Sequence, residues 1–256
     1  ALAVNETLRD SFTYAIRMSN GTLSWGTATI VFTGTNDGPD ISVQTGDSTS
    51  TTLTETNSDL STNGTLTVVD PDTTDTVTMS ISGFSKSGNA GTLSDSTLQA
   101  MFHLTESSLA ANAGDSHNLH WSFGSTPTTF DYLADGESLT LNYTVKADDG
   151  HGGVDTQTVT IVINGTNDGP TIAGGAILNG AVKEDSGTYS TNGSFGFGDL
   201  DSSDHHSVSY TSGGSGYLGA FTPSVSDDST DDGAGTVSWT FNVNNADLQF
   251  LAKDET

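Results

Sequence analysis

Leu139-Thr-Leu-Asn-Tyr-Thr-Val145, Asp148-Asp-Gly-His-Gly-Gly153 and Val154-Asp-Thr-Gln-Thr-Val-Thr-Ile-Val-Ile163 follow one another in a chain of 256 residues. The outer two segments alternate apolar and polar residues with period two and are rich in β-branched side chains, the pattern of strands with one buried face. The Asp- and Gly-rich segment between them is a turn cluster. Together they predict an antiparallel hairpin that closes a sandwich. Earlier strands are expected near 41–54, 64–69, 76–82 and 118–123. Leu98, Met101 and Phe102 have helical spacing, so a short helix is expected from Asp95 to Phe102. A helical turn capped by Asn is expected from Asn245 to Phe250. Many short strands with turn signals and long connections between them indicate an all-β chain of Greek-key β-sandwiches with short helical turns.

The hairpin belongs to a repeat. Gly34-Thr-Asn-Asp-Gly-Pro39 recurs as Gly165-Thr-Asn-Asp-Gly-Pro170. The same displacement, without a gap, aligns Leu2-Ala3 with Leu133-Ala134, Glu6 with Glu137, Phe12 with Tyr143 and Ile30 with Ile161. Trp121-Ser-Phe123 matches Trp239-Thr-Phe241 at a shorter displacement. Glu55, Asn63-Gly64, Asp70, Asp72 and Asp75 fall on Glu184, Asn192-Gly193, Asp199, Asp201 and Asp204, all at one spacing. Internal repeats of this kind mark an array of like domains. Residues 1–36 read as the C-terminal strand pair of a preceding repeat, 37–167 as a complete sandwich, and 168–256 as an incomplete one lacking its last strands. Both ends fall at the same phase, near Leu-Ala-x-x-Glu. An internal piece of a longer array accounts for this most simply. A filament in which the strand pair of one molecule completes the sandwich of another is the sharper alternative.

Composition narrows the function. The chain carries 32 Asp and Glu against 6 Lys and Arg, a net charge of −26. That balance argues against nucleic acids and anionic membranes as partners, since both need basic patches. No stretch is apolar enough to span a bilayer, and Ala1-Leu-Ala-Val4 does not begin a signal peptide. Carboxylates at this density repel one another, and bound cations are the simplest remedy; hard, oxygen-rich sites favour Ca²⁺. Acidity that merely confers solubility is the plainer alternative, but the acids cluster in loops. There is no Cys, so disulfides are excluded and metal is the remaining staple for an extracellular chain. No Gly-x-Ser-x-Gly elbow, P-loop or zincin motif is present, and an enzyme is not expected. Acids that recur in every repeat fit a structural role better than an active site.

Strand direction sorts the acids by end. With the linker at Asn36-Asp37 placed at the top of the middle repeat, Asp70, Asp72 and Asp149 return to that end. Glu55, Glu137, Asn167 and Asp168 gather at the bottom and meet Asp199 and Asp201 of the next repeat. Each end then offers six or so oxygen donors, the number Ca²⁺ takes.

Tyr143-Thr-Val-Lys-Ala-Asp-Asp-Gly150 and Thr158-Val-Thr-Ile-Val-Ile-Asn-Gly-Thr-Asn-Asp-Gly-Pro170 resemble the VCBS repeat of large bacterial RTX-type surface adhesins. They are also similar to the end of a cadherin repeat, with its Ala-x-Asp-x-Gly turn and Asn-Asp linker before Pro. The resemblance is weak over 83–117. It implies tandem Ig-like/cadherin-like sandwiches with Ca²⁺ at the junctions. By carry-over, Asn36, Asp37, Asn167 and Asp168 match linker ligands. Asp70, Asp72, Asp199 and Asp201 match the Asp-x-Asp pair, and Asp149 the turn aspartate. Glu6, Glu55, Glu137 and Glu184 match the acids of the lower end. Two departures stand out: Arg17-Met18 replaces Asp148-Asp149 in the first repeat, and Gly165 stands where the family offers a linker aspartate.

The expected function is a calcium-rigidified extender of a long extracellular bacterial adhesin, with neighbouring repeats of the same protein as its partners. The alternatives are a homopolymer built by strand exchange and a carbohydrate-binding module, for which no aromatic platform is visible. Trp121 and Trp239 are expected in cores and Trp25 partly exposed. His205-His206 reads as an exposed pair, and Asp227–Gly233 as a solvated loop.

Overall fold

A computed structural model describes residues 1–172, 179–187 and 189–252. They fall into two compact units, one drawn from Ala1–Leu53, Asp59–Thr126 and Leu139–Ile163, the other from Thr54–Ser58, Pro127–Ser138 and the described part of Asn164–Thr256.

The first unit contains β1 (Thr7–Arg17), β2 (Leu23–Thr33), β3 (Asp40–Ser42), β4 (Ser50–Thr54), β5 (Ser61–Val69), β6 (Thr76–Gly88), helix α1 (Asp95–Gln99), β7 (Phe102–Leu104), β8 (Ser108–Ala110), β9 (Leu119–Gly124), β10 (Ser138–Asp148) and β11 (Val154–Asn164), with the end residues of β4, β10 and β11 at its border. Two sheets, ordered β4-β11-β10-β6-β8 and β3-β5-β9-β7, make the sandwich. The chain passes from one sheet to the other at almost every connection, which is the expected Greek-key trait. Period-two alternation puts Leu139, Leu141, Tyr143, Val145 and Ala147 of β10 inward, with Val159, Ile161 and Ile163 of β11, all fully buried. Leu66, Leu119 and Trp121 are buried on the other sheet, and Phe102 stacks between Trp121 and Tyr143. Tyr143 stacks on Phe102 with ring centroids 4.5 Å apart and donates its hydroxyl to Leu98 O at 2.7 Å. That bond ties α1 into the core.

Three expectations are corrected. The stretch 41–54 is two strands, because Asp47 breaks it. The Asp47 carboxylate accepts the Gln44 N–H at 3.0 Å and the Thr65 and Thr67 hydroxyls at 2.7 Å each. Its turn uses Gly46 at φ +107°, a left-handed conformation that favours glycine. The helix from Asp95 stops after Gln99. Ser94 caps it, accepting the Thr97 N–H, and Phe102 instead begins β7 and pairs with Phe123 of β9. The turn near Asn245 is a 3-10 turn, Asn245–Asp247, and Asn244 in the cap position makes no side-chain capping bond.

β1 and β2 form a two-stranded antiparallel sheet of their own, in register from Thr7↔Thr33 to Arg17↔Leu23.

The second unit contains β12 (Thr171–Ile172), β13 (Ser190–Gly198), β14 (Gly219–Asp227), β15 (Ala234–Val243) and the 3-10 turn, and its sheet is ordered β12-β13-β15-β14. This is the β3-β5-β9-β7 sheet repeated. Gly64 pairs with Trp121 in one and Gly193 with Trp239 in the other. A Cβ on Gly193 would lie 2.5 Å from Trp239 Cζ2, and one on Gly64 would overlap Trp121 in the same way. The repeated Asn-Gly therefore lets an indole lie flat on the neighbouring strand. Trp121 and Trp239 are buried, and Trp25 is 67% exposed.

Candidate metal centres

In the first unit β5 runs into Asp70-Pro71-Asp72, β10 into Asp148-Asp149, and the stretch after β2 supplies Asn36-Asp37. Strand direction alone brings them together. The Asp72 N–H donates to Asp70 Oδ1 at 2.9 Å, and the Asp37 N–H to Asp72 Oδ2 at 2.8 Å. Asp149 Oδ1 accepts the N–H groups of His151 (2.7 Å) and Gly153 (2.9 Å), while Asn36 Nδ2 donates to Asp149 Oδ2 at 2.8 Å. Carboxylate oxygens of Asp70, Asp75 and Asp149 lie within 4.8 Å of one another, and all three residues are buried. His151 Nδ1 is 3.0 Å from Asp75 Oδ2.

Burial pushes the Asp70 carboxyl above its usual range, and the charges of Asp75, Asp72 and Asp149 push it further. Burial also opposes ionisation of Asp149, but the bonds from Asn36, His151 and Gly153 overcome it and hold that group low. Three buried oxygens have no hydrogen-bond partner: Asn36 Oδ1, Asp70 Oδ2 and Asp72 Oδ1. Leaving a buried acceptor bare is costly, and more so for a charged one.

The second unit repeats the motif. The Asp201 N–H donates to Asp199 Oδ1 at 3.1 Å and the Asp168 N–H to Asp201 Oδ2 at 2.8 Å. Glu55, almost fully buried, accepts the Thr166 N–H (3.2 Å) and hydroxyl (2.7 Å) through Oε2. Four buried oxygens are orphaned here: Glu55 Oε1, Asp131 Oδ1, Asp168 Oδ2 and Asp201 Oδ1. Burial, then the charges of Asp204, Asp168 and Asp199, push the Asp201 carboxyl up to about 6. Asp131 is raised by burial, by the charges of Glu55 and Asp168, and by a side-chain hydrogen bond with Glu55 that favours its protonated form. These acids face one another without a basic partner among the described residues that would balance them, apart from His206 on Asp199.

Most of the residues expected as ligands thus gather into two clusters, and several take roles other than the expected one. Asp37 is exposed and meets Asp72 through its backbone N–H, whereas its counterpart Asp168 has an orphaned buried oxygen. Asn36 has an orphaned buried oxygen, whereas Asn167 is exposed and donates to Asp168 O at 3.1 Å. Glu6 and Glu137 bend back onto their own turns, accepting the N–H groups of Ala3 (3.0 Å) and Ala134 (3.2 Å). Glu184 is half-buried in a turn before β13. The linker glycine has a steric cause: a Cβ on Gly165 would overlap the carbonyl oxygens of Leu133 and Ala134, so an aspartate cannot stand there.

Asp75 and Asp131 were not expected as ligands. Asp75 was visible as the partner of Asp204 in the repeat. Asp131 had no such signal, because Gln249 stands at its position when Trp121 is laid on Trp239. The His205-His206 reading is half corrected. His205 is 83% exposed, but His206 is 12% exposed, with Nε2 2.8 Å from Asp199 Oδ2 and Nδ1 2.7 Å from Asp228 Oδ1. Those two hydrogen bonds, Asp228 first, raise the His206 pKa. Asp228 therefore anchors a side chain rather than lying in a purely solvated loop.

The donor set suits a hard divalent cation. Every orphaned atom of the two clusters is an oxygen and most are carboxylate oxygens; among the described residues, three carboxylates converge within 4.8 Å of one another only in the first cluster, and Ca²⁺ tolerates irregular coordination. Among the described residues, no thiol and no closed histidine set competes for a softer metal.

No family model and no curated protein matches the chain. Among solved structures it is similar to domains 4 and 5 of the S-layer protein SbsC (14% identity, 62% of this chain and 70% of that one, TM-score 0.24). It is also similar to PcdhgB3 EC1-4 (11% identity, 95% and 59%, TM-score 0.32) and to SbsC domains 4-9 (12% identity, 95% and 35%, TM-score 0.23). At these TM-scores the superpositions are partial, and what the chain does rests on its own residues. No described helix is long and apolar enough to cross a membrane.

Proposed function

We propose that this chain is a structural extender of an extracellular protein, stiffened by Ca²⁺ held in its two acid clusters. The observation that carries the reading is the set of seven buried side-chain oxygens left bare in those clusters: Asn36, Asp70 and Asp72 in one, Glu55, Asp131, Asp168 and Asp201 in the other. Asp75, Asp149 and Asp199 complete the donor sets. A bound Ca²⁺ supplies positive charge that turns mutual repulsion into attraction and satisfies acceptors that no protein donor reaches. Each cluster combines residues from consecutive sequence repeats. Asn36 precedes the middle repeat whose Asp70, Asp72, Asp75 and Asp149 it joins. Glu55 and Asp131 of the middle repeat join Asp168, Asp199 and Asp201 of the next. A cation held there stiffens the passage from one repeat to the following one. Such an array holds a distal binding domain away from a cell surface, in keeping with the adhesin resemblance of the 143–170 segment.

The test is small-angle scattering and calorimetry of the chain in millimolar calcium and in EDTA. The expected result is a higher unfolding temperature and a narrower distribution of maximum dimension with calcium. Identical scattering curves and melting points in the two buffers would sink the proposal.

A further inference from the structure

The turn between β10 and β11 reaches back into the first acid cluster. In Asp149-Gly-His-Gly-Gly153, Gly150 (φ +75°) and Gly152 (φ +105°) take the left-handed conformation that favours glycine. The residue between them is thereby turned toward the acids. The His151 N–H donates to Asp149 Oδ1 at 2.7 Å, and its ring Nδ1 lies 3.0 Å from Asp75 Oδ2. An ionised carboxylate only accepts, so the ring carries a proton on Nδ1 and donates it. One residue thus holds two of the three carboxylates that converge within 4.8 Å.

The second unit has the same acid without this contact. Asp75 and its repeat counterpart Asp204 stand in the same turn: the Asp75 N–H donates to Asp72 O at 2.9 Å, and the Asp204 N–H to Asp201 O at 3.1 Å. The turns are alike, but the carboxylates are placed differently. Asp75 is buried and belongs to the convergent trio. Asp204 is half-buried, and among the described residues no such trio forms around it. The buried histidine of that unit, His206, reaches Asp199 instead. The local turn therefore does not suffice to bring the third acid in. In the first unit the Asp75 side chain is 4% exposed and that of His151 44% exposed, so an accessible ring secures a buried carboxylate.

We propose that His151 is a positioning residue of the first cluster: without touching the cation, it holds Asp75 beside Asp70 and Asp149 so that three carboxylates face one ion. This rests on the calcium reading above and adds what sets the affinity of that site. Like charges this close repel, and a side chain free to turn relieves the repulsion by swinging away. A hydrogen bond to the outer oxygen of Asp75 prevents that and leaves the rest of the carboxylate aimed at its neighbours. The ordering cost is then met before the ion arrives. Ligating carboxylates depend on such outer partners, and losing one costs about 10–100-fold in metal affinity.

Calcium titration of the full chain, followed by proton–nitrogen NMR at one fixed pH, tests it. Two backbone amides report on the clusters separately: the Asp37 N–H is bonded to Asp72 in the first, the Asp168 N–H to Asp201 in the second. Substituting His151 keeps its N–H on Asp149 and removes only the ring bond. In His151→Ala the calcium midpoint read at Asp37 is expected to rise about tenfold or more. The midpoint read at Asp168 is expected to stay where it is, and the melting temperature in EDTA to stay close to the native one. His151→Asn supplies an amide donor near the place of Nδ1, and asparagine is the residue at the equivalent place in the first copy of the repeat, Asn20. It is expected to recover most of the affinity. An unchanged or lower midpoint at Asp37, an equal rise at both amides, a His151→Asn chain no better than His151→Ala, or a His151→Ala chain already unfolded in EDTA overturns the proposal. A native chain in which neither amide responds to calcium fails the calcium reading and this one with it. Native binding that His151→Ala leaves intact fails this one alone.

Discussion

Asp70-Pro71-Asp72 and Asp199-Leu200-Asp201 follow equivalent strands, β5 and β13, and in each the second carboxylate accepts a linker N–H, from Asp37 or Asp168. Around that shared kernel the partners differ. In the first unit Asn36, Asp70 and Asp72 each keep a bare buried oxygen and Asp70 is raised, but Asp149 is satisfied by Asn36 and two turn N–H groups and its ionised form is favoured. In the second, Glu55, Asp131, Asp168 and Asp201 each keep a bare buried oxygen, and Asp201 is driven up to about 6. One motif therefore produces two sites of unequal need. The cost of gathering acids depends on how many local donors meet them, not on the motif alone.

Removing the metal should separate the two sites most widely. At calcium a hundredfold above its dissociation constant, one site stabilises its unit by about 2.7 kcal/mol. Scanning calorimetry in EDTA is expected to lower both transitions, that of the second unit further. Leu141→Ala, which empties a fully buried position of the first unit, costs about 2–5 kcal/mol and so marks which transition is which. Equal shifts in EDTA would erase the contrast.

The next effect is acid–base. Asp201 has a folded pKa of about 6 against an ordinary value of 3.8. A raised folded pKa means that the group's contribution to stability is full below about 3.8 and is lost as pH rises through about 6. For the metal-free chain that loss is on the order of 2–3 kcal/mol. It is read as the difference between native and Asp201→Asn unfolding free energies in EDTA across pH 4 to 7. A difference that stays flat over that window would show that Asp201 is not held uncomfortably ionised.

Asp201→Asn itself should change sign with buffer. In EDTA at pH 7 it relieves repulsion and stabilises the second unit; in calcium it removes a negative charge and one of the two side-chain oxygens, of which the other accepts the Asp168 N–H, and destabilises it by about 1–3 kcal/mol. The same sign in both buffers would refute the ligand role.

The smallest effect is expected at Asp37. Its carboxylate is exposed and only its N–H reaches Asp72. Asp37→Ala should alter stability by less than about 0.5 kcal/mol and leave calcium stoichiometry by isothermal titration unchanged. A lost site would return Asp37 to the ligand set.

Legibility followed periodicity. The β10–β11 pair could be read because its alternation is unbroken and both strands are core-facing on one side. The stretch 41–54 was misread because nothing local reveals that Asp47 folds inward to meet Thr65, Thr67 and His117. Burial alone would raise Asp47, yet its hydrogen bonds hold it at about 2. β7 and β8, three residues each, are too short for any period to register. In the acid clusters, repeat spacing exposed the Asp-x-Asp pairs, since both copies survive in the chain. Asp131 has no acidic copy, and the exchange of roles between Asn36–Asp37 and Asn167–Asp168 arises from side-chain burial that identical linker sequences cannot encode. His206 stands where the middle repeat has Val77, once Asp70 is laid on Asp199, so the repeat hid rather than flagged its bond to Asp199.

The indole resting on glycine, Trp121 on Gly64 and Trp239 on Gly193, ties together positions far apart in the chain. Any side chain at the glycine evicts the indole, and a smaller residue in place of the indole leaves a void above a bare backbone. These two positions can be exchanged only as a couple, so the pair acts as a molecular watermark by which one repeat unit can be recognised against another.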